Sequence, residues 1–387
     1  MSFGADEKKA IFQVLTAILV VAVSFWLGAI GAEAKLNVLT SIAVFFLAMA
    51  VSFVRGTDGL YLVIFAMIFS PEIVSGIAAR DAAGEGAGGV VIRLDDIIMM
   101  AVFMGWMLRS AYTGRHHGIV RTKVNGAIWV YMGASIVATL FGVIRGSVGS
   151  FVAGMLHNVK YFEYFLLFFM VLAHVRRKVI VVRMIWTVLF VFFLACLYGY
   201  WQLPSGQRLC APFDAEPNTF GGYLVLMMCL ATGIALTDTR FNVRVIALFL
   251  ALFGCIPLFF TLSRSSYMAM IAGFISFLVM SKRRIIIASV VIAVAALTIL
   301  GVPVIPGTVQ QRVTETFEKG TQYHVKIGSQ DLDPSTSARI ISYQEAFKIW
   351  LESPIVGKGV TGAHFIDGQF PRVLAEAGLL GLSTLLL

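Results

Sequence analysis

Charged residues are scarce in this chain. Asp, Glu, Lys and Arg make up 13% of its 387 residues, whereas a typical soluble domain contains about 25%. Apolar residues account for 59%. This composition excludes an ordinary soluble domain and predicts a polytopic membrane protein. The formal net charge is +9, but in such a chain the basic residues of short loops set the topology, so we predict no nucleic-acid partner.

Motifs for metals, disulfides and nucleotides are missing as well. The four cysteines show no C-x-x-C spacing, and three of them lie inside apolar runs, where they behave as small hydrophobic residues. The sequence has no glycine-rich phosphate loop and no clustered His, Cys and Asp residues. We therefore predict neither a metal site nor any other cofactor.

Long apolar runs dominate what is present. A span needs roughly 20 apolar residues. Eleven runs approach that length, and a twelfth begins near Glu376 but reaches Leu387 before it could cross a membrane, so we expect a C-terminally incomplete chain. The predicted fold class is all-α, a polytopic membrane helix bundle of about eleven to twelve transmembrane helices. The eleven runs are residues 10–32, 36–54, 59–77, 94–112, 125–144, 159–175, 179–203, 219–238, 243–262, 266–281 and 285–303.

The distribution of basic residues predicts which loops lie outside. With Lys8 and Lys9 in the cytoplasm, alternate connections are the basic ones, including those that carry Arg55 and Arg109. We read the N-terminal run as a first span and not as a cleaved signal peptide. The predicted extracytoplasmic loops are residues 33–35, 78–93, 145–158, 204–218, 263–265 and 304–375.

The last of these loops is the most polar stretch of the chain. We divide the chain into a bundle of about eleven spans (1–303), an extracytoplasmic catalytic loop (304–375) and the start of a further helix (376–387). Within the loop, the start signal Asp333-Pro334-Ser335 predicts a helix over about 337–352. Its mixture of charged and apolar residues predicts an amphipathic helix at the outer membrane surface.

Five arginines of the predicted outer loops are candidates for binding an anion. Arginine binds phosphate oxygens in a bidentate way that lysine cannot match, and Ser263 and Ser265 add hydroxyl groups beside one of them. These residues predict an outward-facing site for a phosphorylated, pyrophosphate-bearing substrate. Two simpler interpretations remain: Arg264 snorkels to the interface, and Arg339 contacts lipid headgroups. The five are Arg145, Arg208, Arg264, Arg312 and Arg339.

Acidic residues near the end of the loop are candidates for proton transfer. A partly dehydrated carboxylate at Asp367 would accept a proton from a hydroxyl nucleophile, with His364 as the alternative base and Glu376 near the substrate. The structural alternatives are a helix-start role for Asp367 and an i, i+4 pair between Arg372 and Glu376.

Three sequence elements resemble those of one family. They are Thr261-Leu-Ser-Arg-Ser-Ser266, the run from Ser337-Ala-Arg339 through Trp350 to Ser353-Pro-Ile-Val-Gly-Lys-Gly359, and Leu374-Ala-Glu-Ala-Gly-Leu-Leu-Gly381. Their order and outward placement are similar to those of the O-antigen ligase and polymerase group of bacterial polysaccharide assembly proteins. The resemblance covers about residues 218–387. In the ligase branch a histidine stands where this chain has Asp367, and this departure favours a polymerase over a ligase.

The resemblance implies a C-type glycosyltransferase-like enzyme, inverting and metal-independent, in the bacterial cytoplasmic membrane. Its donor would be a glycan on undecaprenyl pyrophosphate and its acceptor a glycan or lipid-core hydroxyl. Arg264 and Arg339 would bind the pyrophosphate, and Asp367 would orient or deprotonate the acceptor. Membrane lipids, and a chain-length regulator or other assembly proteins, are the implied partners.

Two other functions are compatible with the sequence. A transporter or flippase for an anionic lipid-linked substrate would use the outer arginines to recruit its cargo. Such proteins place charged or broken segments at mid-membrane, whereas here the span interiors are nearly free of charge apart from Lys160 and Glu163. A scaffold subunit is the third interpretation.

Overall fold

Helices form nearly all of the structure. The computed structural model describes residues 36–77, 90–113, 120–214, 216–281, 326–327, 330–331, 334–364 and 366–387. Within these ranges most of the chain is helical, and the strands form two short antiparallel hairpins, which confirms the predicted all-α class. The chain divides into two units: Met1–Val181 with Gly320–Leu387, and Val182–Lys319.

The first unit contains most of the described elements. One antiparallel hairpin pairs Glu72 with Arg93 and Ile77 with Val90. The other pairs Lys326 with Asp331. The elements before the second unit are α1 (Leu36–Val54), α2 (Gly56–Ala66), β1 (Glu72–Ile77), β2 (Val90–Arg93), α3 (Leu94–Thr113), α4 (Asn125–Ile144) and α5 (Phe151–His174).

The second unit begins within α6 (Lys178–Gln202), and the first unit resumes after it. The second unit continues with a 3-10 turn (Leu203–Ser205), α7 (Pro217–Thr237), α8 (Phe241–Phe253), α9 (Cys255–Phe260) and α10 (Arg264–Met280). The first unit then ends with β3 (Lys326–Ile327), β4 (Gln330–Asp331), α11 (Pro334–Glu352) and α12 (Gln369–Leu385).

Several of these helices are long and apolar enough to cross a membrane. Their outer surfaces keep large apolar side chains exposed, for example Ile144 and Phe241, as expected where the solvent is lipid. The predicted membrane protein is thus confirmed, while the predicted spans 10–32 and 285–303 lie outside the described residues. Within the described part of the chain, five segments qualify: Asn125–Ile144, Phe151–His174, Lys178–Ser205, Pro217–Thr237 and Phe241–Phe260.

The span predicted at 59–77 is wrong in its second half. Helix α2 ends at Ala66, and Pro71 precedes strand β1. Proline lacks an N–H group and disfavours helix in the residue before it. That residue, Ser70, instead donates a hydrogen bond to the Asp95 carboxylate at 2.8 Å and accepts one from the Asp95 N–H at 2.6 Å.

The end of the predicted outer loop 78–93 is a strand, because residues 90–93 form β2.

The predicted outer loop 145–158 is helical over most of its length. Helix α5 begins at Phe151, because the Ser150 hydroxyl caps it by accepting from the Ala153 N–H at 3.4 Å. Asn158 lies in the helical part of this predicted loop. Its amide is buried and bonded to Thr139 and Gly154, at 2.8 and 2.9 Å, so it is satisfied inside the bundle.

The core of the first unit fixes the C-terminal helices. Helix α12 packs on α4 through a cluster that includes Tyr131, Ala138, Val373 and Ala377. Ala375, also in α12, packs on the other side against a second cluster, which contains residues of α11. Helix α12, which the sequence placed from near Glu376, begins earlier, at Gln369, after Gly368 with φ +97°.

In the second unit, small residues bring helices into close contact. A Cβ on Gly221 of α7 would lie 2.4 Å from the Ser266 hydroxyl of α10. A Cβ on Gly254, between α8 and α9, would lie 2.7 Å from the Phe192 ring of α6. These contacts hold α7 against the start of α10, where the predicted Ser-Arg element lies.

Candidate active site

A strained turn presents Arg264 at the start of α10. Leu262 has φ +51°, a left-handed conformation that is unfavourable for a residue with a side chain. The following Ser263 caps α10: its hydroxyl accepts from the Ser266 N–H at 3.4 Å and from the Ser266 hydroxyl at 2.8 Å. The exposed Ser265 hydroxyl is 3.1 Å from that of Ser263. Arg264 is therefore the first helical residue, where the helix dipole also favours an anion.

Arg208 is bonded to the backbone of the same turn. Its Nε donates to the Thr261 carbonyl at 3.0 Å, and one terminal nitrogen donates to the Leu262 carbonyl at 3.4 Å. The same nitrogen lies 3.3 Å from the Asn218 side-chain oxygen. These bonds hold the strained turn ahead of Arg264, which is a positioning role that the sequence did not indicate.

In the first unit, two predicted catalytic residues form an ion pair. The Nε of Arg339, on α11, donates to Oδ2 of Asp367 at 3.1 Å. Both side chains are about half exposed, at 42% and 50%. The Asp367 N–H donates to the Ser342 hydroxyl at 2.9 Å, which ties the segment before α12 to α11. The pair therefore keeps the guanidinium in a fixed place and accessible to a ligand.

A second pair on α12 is much more buried. Arg372 donates to Oε1 of Glu376 at 3.2 Å, so the i, i+4 interpretation of these residues is confirmed. Glu376 is only 4% exposed, and Tyr161 of α5 donates its hydroxyl to Oε2 at 3.3 Å. The Arg372 guanidinium also lies 5.4 Å from the centre of the Tyr161 ring. Glu376 thus holds Arg372 in place from inside the protein.

The glycine-rich loop after α11 interlocks with a kink in α12. The Gly359 N–H donates to the Glu376 carbonyl at 2.8 Å, and the Leu379 N–H donates to the Pro354 carbonyl at 2.9 Å. Gly378 has φ +62° and ψ −158°, which breaks the helix at this point. A Cβ on Gly378 would lie 2.5 Å from the Ile355 carbonyl oxygen. Two backbones therefore meet where only glycine fits.

The other predicted site residues stabilise this loop or lie elsewhere. His364 Nε2 is 2.8 Å from Oε2 of Glu345 on α11. Arg145, at the end of α4, donates to the Ser353 hydroxyl at 2.6 Å. Both have protein partners, and their assignment to substrate binding stays a prediction. Arg312 lies outside the described residues.

A comparison with known protein families matches the C-terminal part of the chain. Residues 246–381 match a family model described as O-Antigen ligase. This part of the chain, about a third of its length, is similar to the O-antigen ligase family. The matched range includes Arg264, Arg339 and Asp367 and ends at Gly381, within the kinked helix. No curated protein matches the chain at a significant level.

The match supports a glycan-processing function of the ligase or polymerase type. The predicted resemblance to this superfamily is thereby confirmed. Two residues near the candidate site were not predicted as part of it. Arg372 follows Asp367 by little more than one helical turn, and its spacing to Glu376 was a usable signal. Tyr161 lies in a mostly apolar run, and no local pattern singles it out.

Within the matched residues, α11 has apolar side chains both on a buried side and on an exposed side. Its amphipathic placement at the membrane surface stays a prediction. One side is buried: Ala346 and Ile349 pack against Ile366. The other side keeps Tyr343 and Phe347 about half exposed. They contribute to a groove of about 410 Å³ with Ile340, Gln344 and Lys348. Arg339 precedes Ile340, so an arginine flanks an exposed aromatic surface.

Proposed function

We propose that this protein transfers glycan from an undecaprenyl-pyrophosphate donor to a sugar hydroxyl at the outer face of the bacterial cytoplasmic membrane. The observation that carries the proposal is the half-exposed Arg339–Asp367 pair beside the apolar groove of α11, within the matched O-antigen ligase residues. The arginine suits a pyrophosphate and the groove suits a polyprenyl chain. Both halves of such a donor therefore have a complementary surface on one helix.

The proposed reaction is a direct displacement. The acceptor hydroxyl forms a bond to the anomeric carbon, while the bond from that carbon to the pyrophosphate oxygen breaks. The pyrophosphate leaves with the bonding electrons, and the configuration inverts. Arg339 stabilises the growing negative charge, which is commonly the largest catalytic contribution. On its sequence position we assign Arg264 the same role, so that arginines supply the positive charge that a metal ion supplies in other transferases.

Asp367 is the proposed proton acceptor. Its Oδ2 is paired with Arg339 in the structure, so arrival of a pyrophosphate would compete for that guanidinium and release the carboxylate toward the acceptor. Ser342 holds the Asp367 backbone in place during this exchange. We propose that Arg145, Arg208, Arg312, Ser263, Ser265, His364 and Glu376 support substrate binding, directly or through the residues they hold.

Polymerisation is the favoured form of this activity. Asp367 stands where ligases have histidine, and this difference supports a glycan acceptor over transfer to a lipid core. Ligase activity is the alternative, and transport of a lipid-linked substrate is the second alternative. A chain-length regulator is a further proposed partner of the polymerase.

Incubation of the purified protein with a lipid-linked oligosaccharide distinguishes the three activities. A polymerase lengthens the glycan, a ligase moves it to another lipid, and a transporter only changes its leaflet.

Asp367→Asn is expected to lower the turnover of lipid-linked repeat units by about 10²-fold or more, because an amide cannot accept the proton. The amide still accepts a hydrogen bond from Arg339, so donor binding should change little. Steady-state assays that separate kcat from KM measure this. Glu352→Gln is the matched control, since Glu352 is also an exposed carboxylate of α11 and pairs with Lys358, which has no proposed role. Turnover of Asp367→Asn at the parent rate would show that the base is another residue.

Arg208→Ala is expected to slow turnover by about tenfold, because charge-assisted bonds to the Leu262 turn are lost. If Arg208 acts by holding a strained backbone, glycine at position 262 should relieve the strain. The double variant Arg208→Ala, Leu262→Gly should then recover part of the lost rate. Arg183→Ala, an exposed arginine of α6, is the control. Failure of the glycine to restore any activity would argue against the positioning role.

A further inference from the structure

A polar cavity lies in the first unit among the ends of α1, α2, α3 and α5. Its volume is about 250 Å³, enough for a small polar group but not for an oligosaccharide. By the topology predicted from the basic loops, this end of the helices faces the cytoplasm, opposite to the proposed transfer site. The cavity is lined by Arg55, Gly56, Thr57, Trp106, Arg109, Ser110, Ala173 and His174.

The start of α2 contributes backbone donors to the cavity wall. Helix α2 begins at Gly56, and no side chain caps it. The first N–H groups of a helix have no partner within the helix, and the dipole makes this end positive. A side chain at position 56 would collide with His174, since a Cβ there would lie 1.9 Å from His174 Nε2. Glycine thus lets the helix start come close to the ring.

Trp106 supplies an independent sign that a ligand belongs here. Its side chain is 1% exposed, and its Nε1 has no hydrogen-bond partner among the described residues. The indole meets the His174 ring edge to face, with 5.6 Å between the ring centres. A buried N–H without an acceptor is unfavourable and uncommon in native proteins. Because Trp106 lines the cavity, an oxygen atom of a bound group would supply the missing acceptor.

The charge of the cavity lining is positive. Arg109 donates from Nη1 to the carbonyl oxygens of Phe53, at 2.9 Å, and of Val54. Arg55 has one weak ion pair, at 4.0 Å, with Asp58 in the first turn of α2. Arg55 and Arg109 both line the cavity, and no carboxylate is among its lining residues. This positive charge favours an anion with several acceptor oxygens.

We propose that this cavity binds the phosphate group of a small phosphate-bearing anion. Arg55 and Arg109 would supply charge, the start of α2 would supply backbone N–H groups, and Trp106 would donate to one oxygen. Phosphate oxygens match these convergent donors, and a headgroup-sized ligand matches the volume. The source is either the headgroup of an anionic phospholipid in the inner leaflet or free phosphate, and both share the recognised chemistry. The site is separate from Arg339 and does not depend on the transfer reaction.

Thermal unfolding of the purified full chain in neutral detergent tests the proposal. The probes are short-chain phosphatidylglycerol and inorganic phosphate, with chloride at matched ionic strength as the reference. A ligand that binds only the folded state raises the Tm in proportion to its occupancy. The cavity variants are Arg55→Gln and Trp106→Phe, the second of which removes the N–H but keeps an aromatic ring. Arg177→Gln is the control, because Arg177 is exposed and does not line the cavity.

We expect at least one probe to raise the Tm of the parent and of Arg177→Gln. Each cavity variant should weaken apparent affinity by about tenfold, as for the loss of one hydrogen bond to a charged group. A response to phosphatidylglycerol alone identifies a lipid headgroup, and a response to inorganic phosphate identifies the free anion. No response to either probe in the parent, or an unchanged response in both cavity variants, overturns the proposal.

Discussion

Arg339→Ala is expected to reduce glycan transfer by about 10²- to 10³-fold, the usual effect of removing a group that stabilises transition-state charge. Arg339 is the cation of α11 that pairs with Asp367, and the variant also leaves that carboxylate without its partner. Arg339→Lys should recover only a small part of the rate, because an ammonium group cannot bind two phosphate oxygens in parallel. The fold should be kept, since the side chain is 42% exposed.

The measurement is chain lengthening by purified variants with a lipid-linked oligosaccharide donor, together with their membrane yield. Arg177→Ala is the control: it removes an exposed cation that lies outside α11 and its groove, and it should change the rate by less than about threefold. Normal chain-length ladders from Arg339→Ala would remove Arg339 from the mechanism. Equal losses in Arg339→Ala and Arg177→Ala would indicate a general charge effect and not a specific site.

Gly378→Ala is expected to destabilise the protein by about 4 kcal/mol, because two costs combine at this residue. Its φ and ψ, +62° and −158°, lie in a region that essentially only glycine occupies. The added Cβ would also lie 2.5 Å from the Ile355 carbonyl oxygen, where neither backbone can move without breaking the interlock. The glycan-transfer activity should fall together with the folded fraction.

Denaturation of purified variants in detergent measures this effect. Gly133→Ala is the control, since a Cβ at Gly133 of α4 meets nothing within 4 Å. In a helix interior alanine is preferred to glycine by about 1 kcal/mol, so this variant should match or exceed the parent in stability. If Gly378→Ala unfolded like the parent, the kink would not be required for the fold. If it folded normally but lost activity, the role of Gly378 would lie in the site itself.

The sequence alone predicted those helices and motifs that are determined by residues close together in the chain. Asn125–Ile144 was predicted with the same bounds that the structure shows, because an uninterrupted apolar run leaves the backbone no other way to satisfy its hydrogen bonds in lipid. The helix predicted over about 337–352 follows from the start signal Asp333-Pro334-Ser335, and α11 ends at Glu352 as predicted. The start of α10 at Arg264 was not predicted, because the sequence placed 263–265 in a loop. The family elements around Arg264 and Arg339 were visible because each is a short local motif.

Local patterns failed where a distant partner decides the outcome. Asn158 reads as a loop residue, yet Thr139 of another helix satisfies its amide inside the bundle. Residues 72–77 are apolar enough for a span, but they pair with β2. The burial of Glu376 and its bond to Tyr161, far away in the chain, were likewise not visible in the sequence.

The sequence by itself determined the all-α membrane class and the motifs that resemble the O-antigen ligase family, because composition, apolar run length and motif order are properties of the chain. Only the tertiary structure decided that Asp367 pairs with Arg339, that Arg208 braces the Leu262 turn, and that Gly378 locks the last helix to the loop. Each of these depends on contacts between segments that are separate in sequence. Spacing along the chain does not encode such distances, whereas packing and hydrogen bonding fix them.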